Sequence, residues 1–144
     1  MNLLRQFRDL PAVERKLLVR TFAVVVAIRL LLWTVSFRLV LRLIFTPTAV
    51  FPALAQIPVR RLSWSVQASA KRIPAASCLT QALALHWLLA RAGQAANLRV
   101  GVAKDGSRGL ASHAWLEHEG EILIGDNGEL DRYSPILAWS SEGH

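Results

Sequence analysis

The hydrophobic pattern of the chain changes its period once, after Gly93, and this change restricts the fold more than any other feature. Before it, apolar residues recur at the three- and four-residue spacing of α-helices. After it, "NLRVGVA" (97–103) alternates apolar residues with polar or small ones, as a half-buried strand does. Because the helices come first and the strands follow, the pattern predicts an α+β fold with an antiparallel sheet.

Two helices are predicted in the first half of the chain. The first spans about 9–43, with an aspartate to cap it and a proline in its first turn. Two prolines within 46–52 then break the helical pattern, since proline lacks the amide donor and biases its predecessor towards extended backbone. A shorter helix is predicted over 58–71, and Pro74 ends it.

The segment "ASCLTQALALHWLLARAG" (76–93) predicts a central helix. Ser77 is a good N-cap, the interior is rich in Ala and Leu, and Gly93 is a C-terminal stop. The chain's single cysteine, Cys78, then occupies the first helical position, where free amide N–H groups and the helix dipole stabilise a thiolate. Cys78 is therefore a candidate nucleophile, with a buried structural cysteine as the alternative.

Of the four histidines, His113 is the one that fits the role of a base for this thiol. His86 lies on the same predicted helix, about 12 Å along its axis from Cys78, which is too far for proton transfer. His118 is predicted beside a turn and His144 is the last residue, so both are expected in solvent. His113 is left, in the middle of a predicted strand.

The stretch "LASHAWLEHEGEILIGD" (110–126) predicts a β-hairpin with a two-residue turn at 119–120. In that register His113 lies opposite Asp126, and directly opposed residues have Cβ atoms about 4.5–5.5 Å apart. The carboxylate would then accept the imidazole N–H and stabilise the imidazolium. A slip of one residue would send Asp126 to the other face of the sheet.

Two more residues are candidates for the same site. Trp115 is predicted on the same face of the strand as His113. It would form one side of the site, or it would be an aromatic residue of the core with no role there. Gln81, one turn from Cys78, would contact an oxyanion or the substrate, unless it is only helix surface. The single cysteine and scattered histidines show none of the spacings that zinc requires, and there is no Gly-rich phosphate loop. We expect neither a metal nor a cofactor.

The positive charge lies in the first half of the chain. Residues 1–72 carry twelve Lys/Arg and two acids (+10), whereas 73–144 carry five and eight (−3), which together give the chain's +7. We expect 1–72 to be a basic, apolar helical region that packs on the core, and 73–144 to be the catalytic region, within one compact domain. No motif for nucleic-acid binding accompanies the charge, so that class of partner is not predicted.

The apolar run over 17–45 raises the question of a membrane span. Arginines interrupt it so often that no uncharged stretch exceeds eight residues. A span needs roughly 20 apolar residues, and a central Arg costs about 2.5–3.5 kcal/mol. A helix that packs on the core is therefore favoured, with peripheral membrane contact as the alternative. A single cysteine is also typical of a cytoplasmic protein. If the helix makes peripheral membrane contact, the protein would be cytoplasmic and membrane-associated.

Three segments together resemble a known family: "PAASCLTQALALHWLLARAG", "LRVGVAKDG" and "LASHAWLEHEGEIL". They are similar to the transglutaminase-like leader peptidases of lasso-peptide biosynthesis, over about residues 60–135. The resemblance implies a papain- or transglutaminase-like fold and removal of the leader from a ribosomally made precursor. It also implies that Cys78 is the nucleophile, His113 the base and Asp126 the third member. In that family a separate ATP-dependent cyclase then closes the macrolactam ring.

The sequence departs from this family at two points. Many relatives have a basic residue where this chain has Gln81. Longer members also carry a winged-helix leader-recognition domain, whereas the first 60 residues here are predicted to be apolar helices. The resemblance therefore implies the split form, which relies on a separate leader-recognition protein. That protein, or the cyclase, would dock on the apolar helices. Other interpretations are an amidase or acyl transferase acting on another substrate, and a non-catalytic scaffold at a membrane surface.

Overall fold

In the computed structural model, five α-helices precede a four-stranded antiparallel sheet within the described part of the chain, which confirms the predicted α+β arrangement. The described residues are 5, 8–46, 49–73, 76–104, 106 and 109–140. The helices are α1 (Ala12–Thr34), α2 (Phe37–Ile44), α3 (Pro52–Ala55), α4 (Val59–Ala70) and α5 (Cys78–Arg91). The strands are β1 (Asn97–Lys104), β2 (Leu110–His118), β3 (Glu121–Ile124) and β4 (Ser134–Ser140).

The helix predicted over 9–43 is in fact two helices. At Val35 the backbone is extended (φ −123°, ψ 166°), and the Ser36 side chain accepts a hydrogen bond from the Leu39 N–H at 3.3 Å. A serine hydroxyl competes for backbone groups and favours a new helix start at such a place. The break turns α2 so that Val40 and Ile44 enter the core. The spacing of the apolar residues continues across the break and therefore does not reveal it.

Helix α1 packs against α4 and α5 along one stripe. Its buried residues are Leu17, Thr21, Val25 and Ile28, whose spacing places them on one side of the helix. The Thr21 and Ser65 hydroxyls form a buried hydrogen bond of 3.0 Å that ties α1 to α4. By length and composition α1 is also able to cross a membrane, with a mean hydropathy of 2.0 over an 18-residue stretch. Only 22% of that stretch is buried, and Val24, Leu31 and Leu32 are partly buried against the core.

The sheet has the strand order β3-β2-β1-β4, and α5 packs on it chiefly through β2. Strand β4 was missed by the sequence reasoning, which placed no strand after the turn near residue 128. Its second residue is Pro135, which cannot donate to a ladder and is typical of an edge strand. Position 135 pairs with Gly101 of β1, at the point where the register of this pair shifts.

The hairpin turn between β2 and β3 lies where it was predicted. Its two residues, Glu119 and Gly120, both have positive φ (50° and 78°), as a tight type I′ turn requires. His118 pairs with Glu121, as expected for a two-residue loop.

The register beyond the turn was predicted wrongly. Between Glu117 and Leu116 it shifts by one residue, so that Leu116 pairs with Ile124, the last residue of β3. A β-bulge of this kind puts two residues of one strand opposite one of its partner. His113 therefore has no partner on β3, and Asp126 lies beyond the ladder rather than opposite it.

His118 is buried, not solvated as predicted from its place beside the turn. It is 8% exposed, and its Nδ1 donates to the carbonyl of Ala95 at 2.6 Å. Its side chain lies on the same face of β2 as Ala114 and Leu116, which belong to the core. His144 lies outside the described residues.

His86 is a polar residue inside the apolar core. It is 1% exposed, its ring lies 4.0 Å from the ring of Phe45, and neither ring nitrogen has a hydrogen-bond partner among the described residues. Burial lowers the pKa of His86 to about 4, because the charged ring loses its hydration there. His86 is therefore a neutral part of the core, and it is not near enough to serve the Cys78 thiol.

We expect the free energy of unfolding to fall as the pH drops from about 6.5 to about 4. In this window His86 becomes protonated in the unfolded chain but stays neutral in the folded one. The stability that depends on a neutral His86 is therefore complete above pH 6.5 and is lost as the pH falls towards 4. The full loss is about 3 kcal/mol. Urea unfolding of wild type and His86→Leu at about pH 5 and about pH 7.5 measures it. The difference between the two pH values should be smaller in the variant, and an equal difference would contradict the assignment.

Candidate active site

Cys78 is the first residue of α5, as the sequence predicted. Ser77 caps the helix, its hydroxyl accepting a hydrogen bond from the Thr80 N–H at 3.3 Å. The thiol is free and half-buried. A half-buried side chain at a helix start is held in place by the helix and still accessible to a substrate.

The amide groups at the start of α5 divide into two pairs. The N–H groups of Thr80 and Gln81 bond to the hydroxyl and the carbonyl of Ser77. The N–H groups of Cys78 and Leu79 have no partner among the residues that the structure describes. The N-terminus of a helix attracts negative charge, so these two N–H groups, next to the Cys78 thiol, are candidates to bind a developing oxyanion.

A small cleft of about 220 Å³ brings the predicted site residues together. Cys78 and Gln81 reach it from α5, His113 reaches it from β2, and Asp126 lies in the loop that follows β3. The remaining lining residues are Ile124, Gly125 and Asn127. The parts of a thiol–imidazole pair, separated by 35 positions in the sequence, thus share one cavity.

The imidazole of His113 is held by the backbone. Its Nε2 bonds to the carbonyl oxygen of Gly125. Because a carbonyl only accepts, Nε2 carries the hydrogen, and in the neutral ring the lone pair is on Nδ1. Nδ1 is therefore the nitrogen that can take a proton from a thiol.

Gly125 is required by two features of its surroundings. Its φ is +91°, in the left-handed region that favours glycine. A Cβ at this position would also lie 2.6 Å from the carbonyl oxygen of Ala114 and 2.8 Å from Cβ of Trp115. The absence of a side chain lets the loop after β3 run against β2, and this close approach puts the Gly125 carbonyl beside His113.

Asp126 does not make the contact that the sequence predicted for it. Its Oδ1 accepts a hydrogen bond from the Gly128 N–H at 2.9 Å, the side chain is exposed, and no hydrogen bond joins it to His113. The bulge in β3 is the reason, since it moves the chain by one residue and leaves the Gly125 carbonyl in the place expected for the carboxylate. Asp126 still lines the cleft at its rim.

Two aromatic rings lie near the ring of His113. The ring centroids of Tyr133 and Trp115 lie 5.4 and 6.2 Å from it. Trp115 is buried, its indole N–H donates to Glu117 at 3.0 Å, and it is not among the residues that line the cleft. Gly101 leaves room for this cluster, because a Cβ there would lie 2.8 Å from Cβ of Tyr133. Sequence reasoning missed Tyr133, which follows the turn and belongs to no strand.

Gln81 lines the cleft, but its side-chain amide is engaged. Its Nε2 donates to the carbonyl of Ala76 at 3.1 Å, which ties the segment before α5 to the first turn of the helix. Among the described residues no cluster of three His, Cys, Asp or Glu side chains is arranged to bind a metal ion. The side chains that line the cleft include a thiol, an imidazole and a carboxylate.

A family model described as "Transglutaminase-like superfamily" matches residues 22–138, which is well over half of the chain. The chain belongs to the transglutaminase-like superfamily. No curated protein and no solved structure matches it. The match begins within α1 and includes α2, α3 and α4 as well as α5 and the strands as far as residue 138. This superfamily includes cysteine peptidases and acyl transferases, both of which use a thiol nucleophile.

Proposed function

We propose that this transglutaminase-like protein is a cysteine peptidase that removes the leader from a lasso-peptide precursor. The observation that carries the proposal is the cleft shared by Cys78, at a helix start, and His113, whose Nε2 is fixed by a backbone carbonyl. The sequence similarity to leader peptidases adds the class of substrate. Asp126 belongs to the proposed site as a negative charge at the rim of the cleft.

The proposed reaction takes two steps. The Cys78 thiol gives its proton to Nδ1 of His113, and the thiolate attacks the scissile carbonyl carbon. The Cys78 and Leu79 N–H groups stabilise the oxyanion, and His113 returns the proton to the departing amine, which leaves a thioester on Cys78. A water molecule, deprotonated by His113, then hydrolyses the thioester and restores the thiol.

The substrate would be delivered by a second protein. The residues described before α5 form helices, so they do not supply the strands of a winged-helix recognition domain. The similarity to the split form of the leader peptidases supports a separate leader-recognition protein that brings the precursor to the cleft. The ATP-dependent cyclase would then act on the released core peptide.

Mass spectrometry of a precursor peptide incubated with the full chain tests this function. The expected products are the leader and the core, whose masses sum to that of the precursor plus one water. Adding the recognition protein should raise the rate. Because the chain has a single cysteine, treatment with iodoacetamide gives a control that is modified at one thiol. An adduct with an added amine in place of hydrolysis would identify an acyl transferase and reject the peptidase.

We expect Asp126→Asn to lower kcat by only about tenfold, or about 1.4 kcal/mol. Asn keeps the oxygen that accepts from Gly128, and the Gly125 carbonyl still orients His113, so only the charge near the imidazolium is lost. In a serine-protease triad, where the carboxylate bonds directly to the imidazole, the same change costs about 10⁴-fold. Asp131→Asn, an exposed carboxylate outside the cleft, is the matched control. A loss of 10³-fold or more would show that Asp126 contacts the ring during catalysis.

A further inference from the structure

Helix α1 is apolar on the side that faces away from the protein as well as on the side that packs. Val19, Ala23, Val26, Leu30 and Trp33 follow each other at spacings of four, three, four and three residues, which places them along one side of the helix. Trp33 is 76% exposed, Val19 57% and Leu30 50%. Ala23 is exposed as well, and Val26 is half-buried. This outward stripe lies opposite the buried one.

The charges around the outward stripe have one sign. Between residues 12 and 44 the only acid is Glu14, and its carboxylate is paired with Arg61 of α4. The same segment carries six basic residues, on α1 and on α2: Arg15, Lys16, Arg20, Arg29, Arg38 and Arg42. Four of these cations belong to α1 itself, and an apolar stripe on a helix of this charge is complementary to an anionic lipid surface, into which such a helix inserts its apolar side.

The apolar area extends beyond the stripe. Val19 also lines a groove of about 410 Å³ between α1 and α4, together with Phe22 and Trp64. Trp33 and Trp64 are 76% and 36% exposed. Exposed tryptophans next to cations are typical of proteins that sit at the level of lipid headgroups.

The packing of α1 decides between lying on a membrane and crossing it. The buried stripe from Leu17 to Ile28 packs on α4 and α5, and the Thr21–Ser65 hydrogen bond lies in the middle of it. Crossing the bilayer would separate α1 from this core. Lying in the plane of the surface keeps every one of these contacts and buries only the exposed side.

We propose that the chain binds anionic membrane surfaces through the outward stripe of α1, which lies in the interface with its flanking Lys and Arg side chains on the headgroups. The catalytic cleft is formed by α5 and the β2–β3 hairpin, and none of its residues belongs to the stripe. Binding to lipid is therefore independent of the peptidase activity, and either can be present without the other.

Flotation of the full chain with lipid vesicles tests the proposal. Vesicles containing about 30% phosphatidylglycerol should bind at least about tenfold more protein than phosphatidylcholine vesicles, and about 0.5 M salt should release it. The double variant Val19→Gln/Leu30→Gln should bind roughly tenfold less, since both side chains are exposed and their replacement leaves the core intact. The control is Leu110→Gln/Ile136→Gln, which removes two exposed apolar side chains from the sheet.

Four outcomes would overturn it. Equal loss of binding in the control would mean that exposed apolar area in general, and not the stripe, drives flotation. Protein that stays on the vesicles in high salt and at alkaline pH would indicate a helix that crosses the bilayer. Self-association that is lost in Val19→Gln/Leu30→Gln, without flotation of the wild type, would assign the stripe to a second copy of the chain. No flotation and no self-association would exclude lipid as its partner.

Discussion

Cys78→Ala and His113→Ala should each lower kcat/KM for precursor cleavage by at least about 10⁴-fold, and the double variant should be no slower than either. In the proposed mechanism the thiol and the imidazole act as one unit. Without the base the thiol would not be deprotonated, and without the thiol the base would have no nucleophile to activate. Rates from mass spectrometry of the precursor measure the effect.

The two variants are distinguished by the thiol itself. His113→Ala keeps Cys78, so its rate of alkylation by iodoacetamide near neutral pH should fall relative to that of wild type. Ser112→Ala, an exposed neighbour on β2, should match wild type in both assays. Cleavage by His113→Ala at more than a tenth of the wild-type rate would show that another group is the base.

Gly125→Ala should lower the free energy of unfolding by about 3–5 kcal/mol, and it should also lower activity. The added methyl group meets backbone rather than a flexible side chain, at 2.6 Å from the Ala114 oxygen, and the φ of +91° is strained for any residue with a Cβ. Any relief moves the loop away from β2, which takes the Gly125 carbonyl away from His113. Thermal unfolding and kcat measure the two consequences.

Gly120→Ala is the control that distinguishes the steric contacts of an added methyl group from the strain of a positive φ. Gly120 also has a positive φ, of 78°, but nothing lies within 4 Å of a Cβ placed there. It should cost only about 1 kcal/mol and leave kcat unchanged. If the two variants were equally stable, the loop after β3 would have enough freedom to accept a side chain, and the fixed position of the Gly125 carbonyl would be wrong.

The structural features near the cleft that the sequence predicted correctly are those with local causes. The start of α5 is encoded within a few residues, because the Ser77 hydroxyl bonds to an amide three positions later. Position and capping together were enough to place Cys78. The turn at 119–120 is similarly local, since it needs only residues that tolerate a positive φ.

The register of β3 could not be predicted, because its cause lies elsewhere in the chain. The bulge lets Leu123 and Ile124, which are consecutive, both enter the core. The carbonyl of Leu123 accepts a hydrogen bond of 2.5 Å from the hydroxyl of Ser63 on α4, sixty residues earlier. Neither the turn nor the alternation of the strand contains this information. The predicted pairing of His113 with Asp126 failed for that reason.

The burial of His86 and His118 was also beyond sequence reasoning. A histidine in a helix of Ala and Leu, or next to a turn, is compatible with solvent as well as with the core. What decides is tertiary packing: Phe45 lies against one ring, and the carbonyl of Ala95 accepts from the other.

The bond between His113 and the Gly125 carbonyl makes the main chain part of the proposed active site. A carbonyl has no proton to gain at physiological pH and no net charge for salt to screen, so acid and ionic strength leave this support of the ring in place. No ordinary substitution removes the acceptor, since every amino acid supplies the same oxygen. An ester in place of the amide between residues 125 and 126, introduced by chemical synthesis, would weaken that oxygen as an acceptor while leaving every side chain in the cleft as it is.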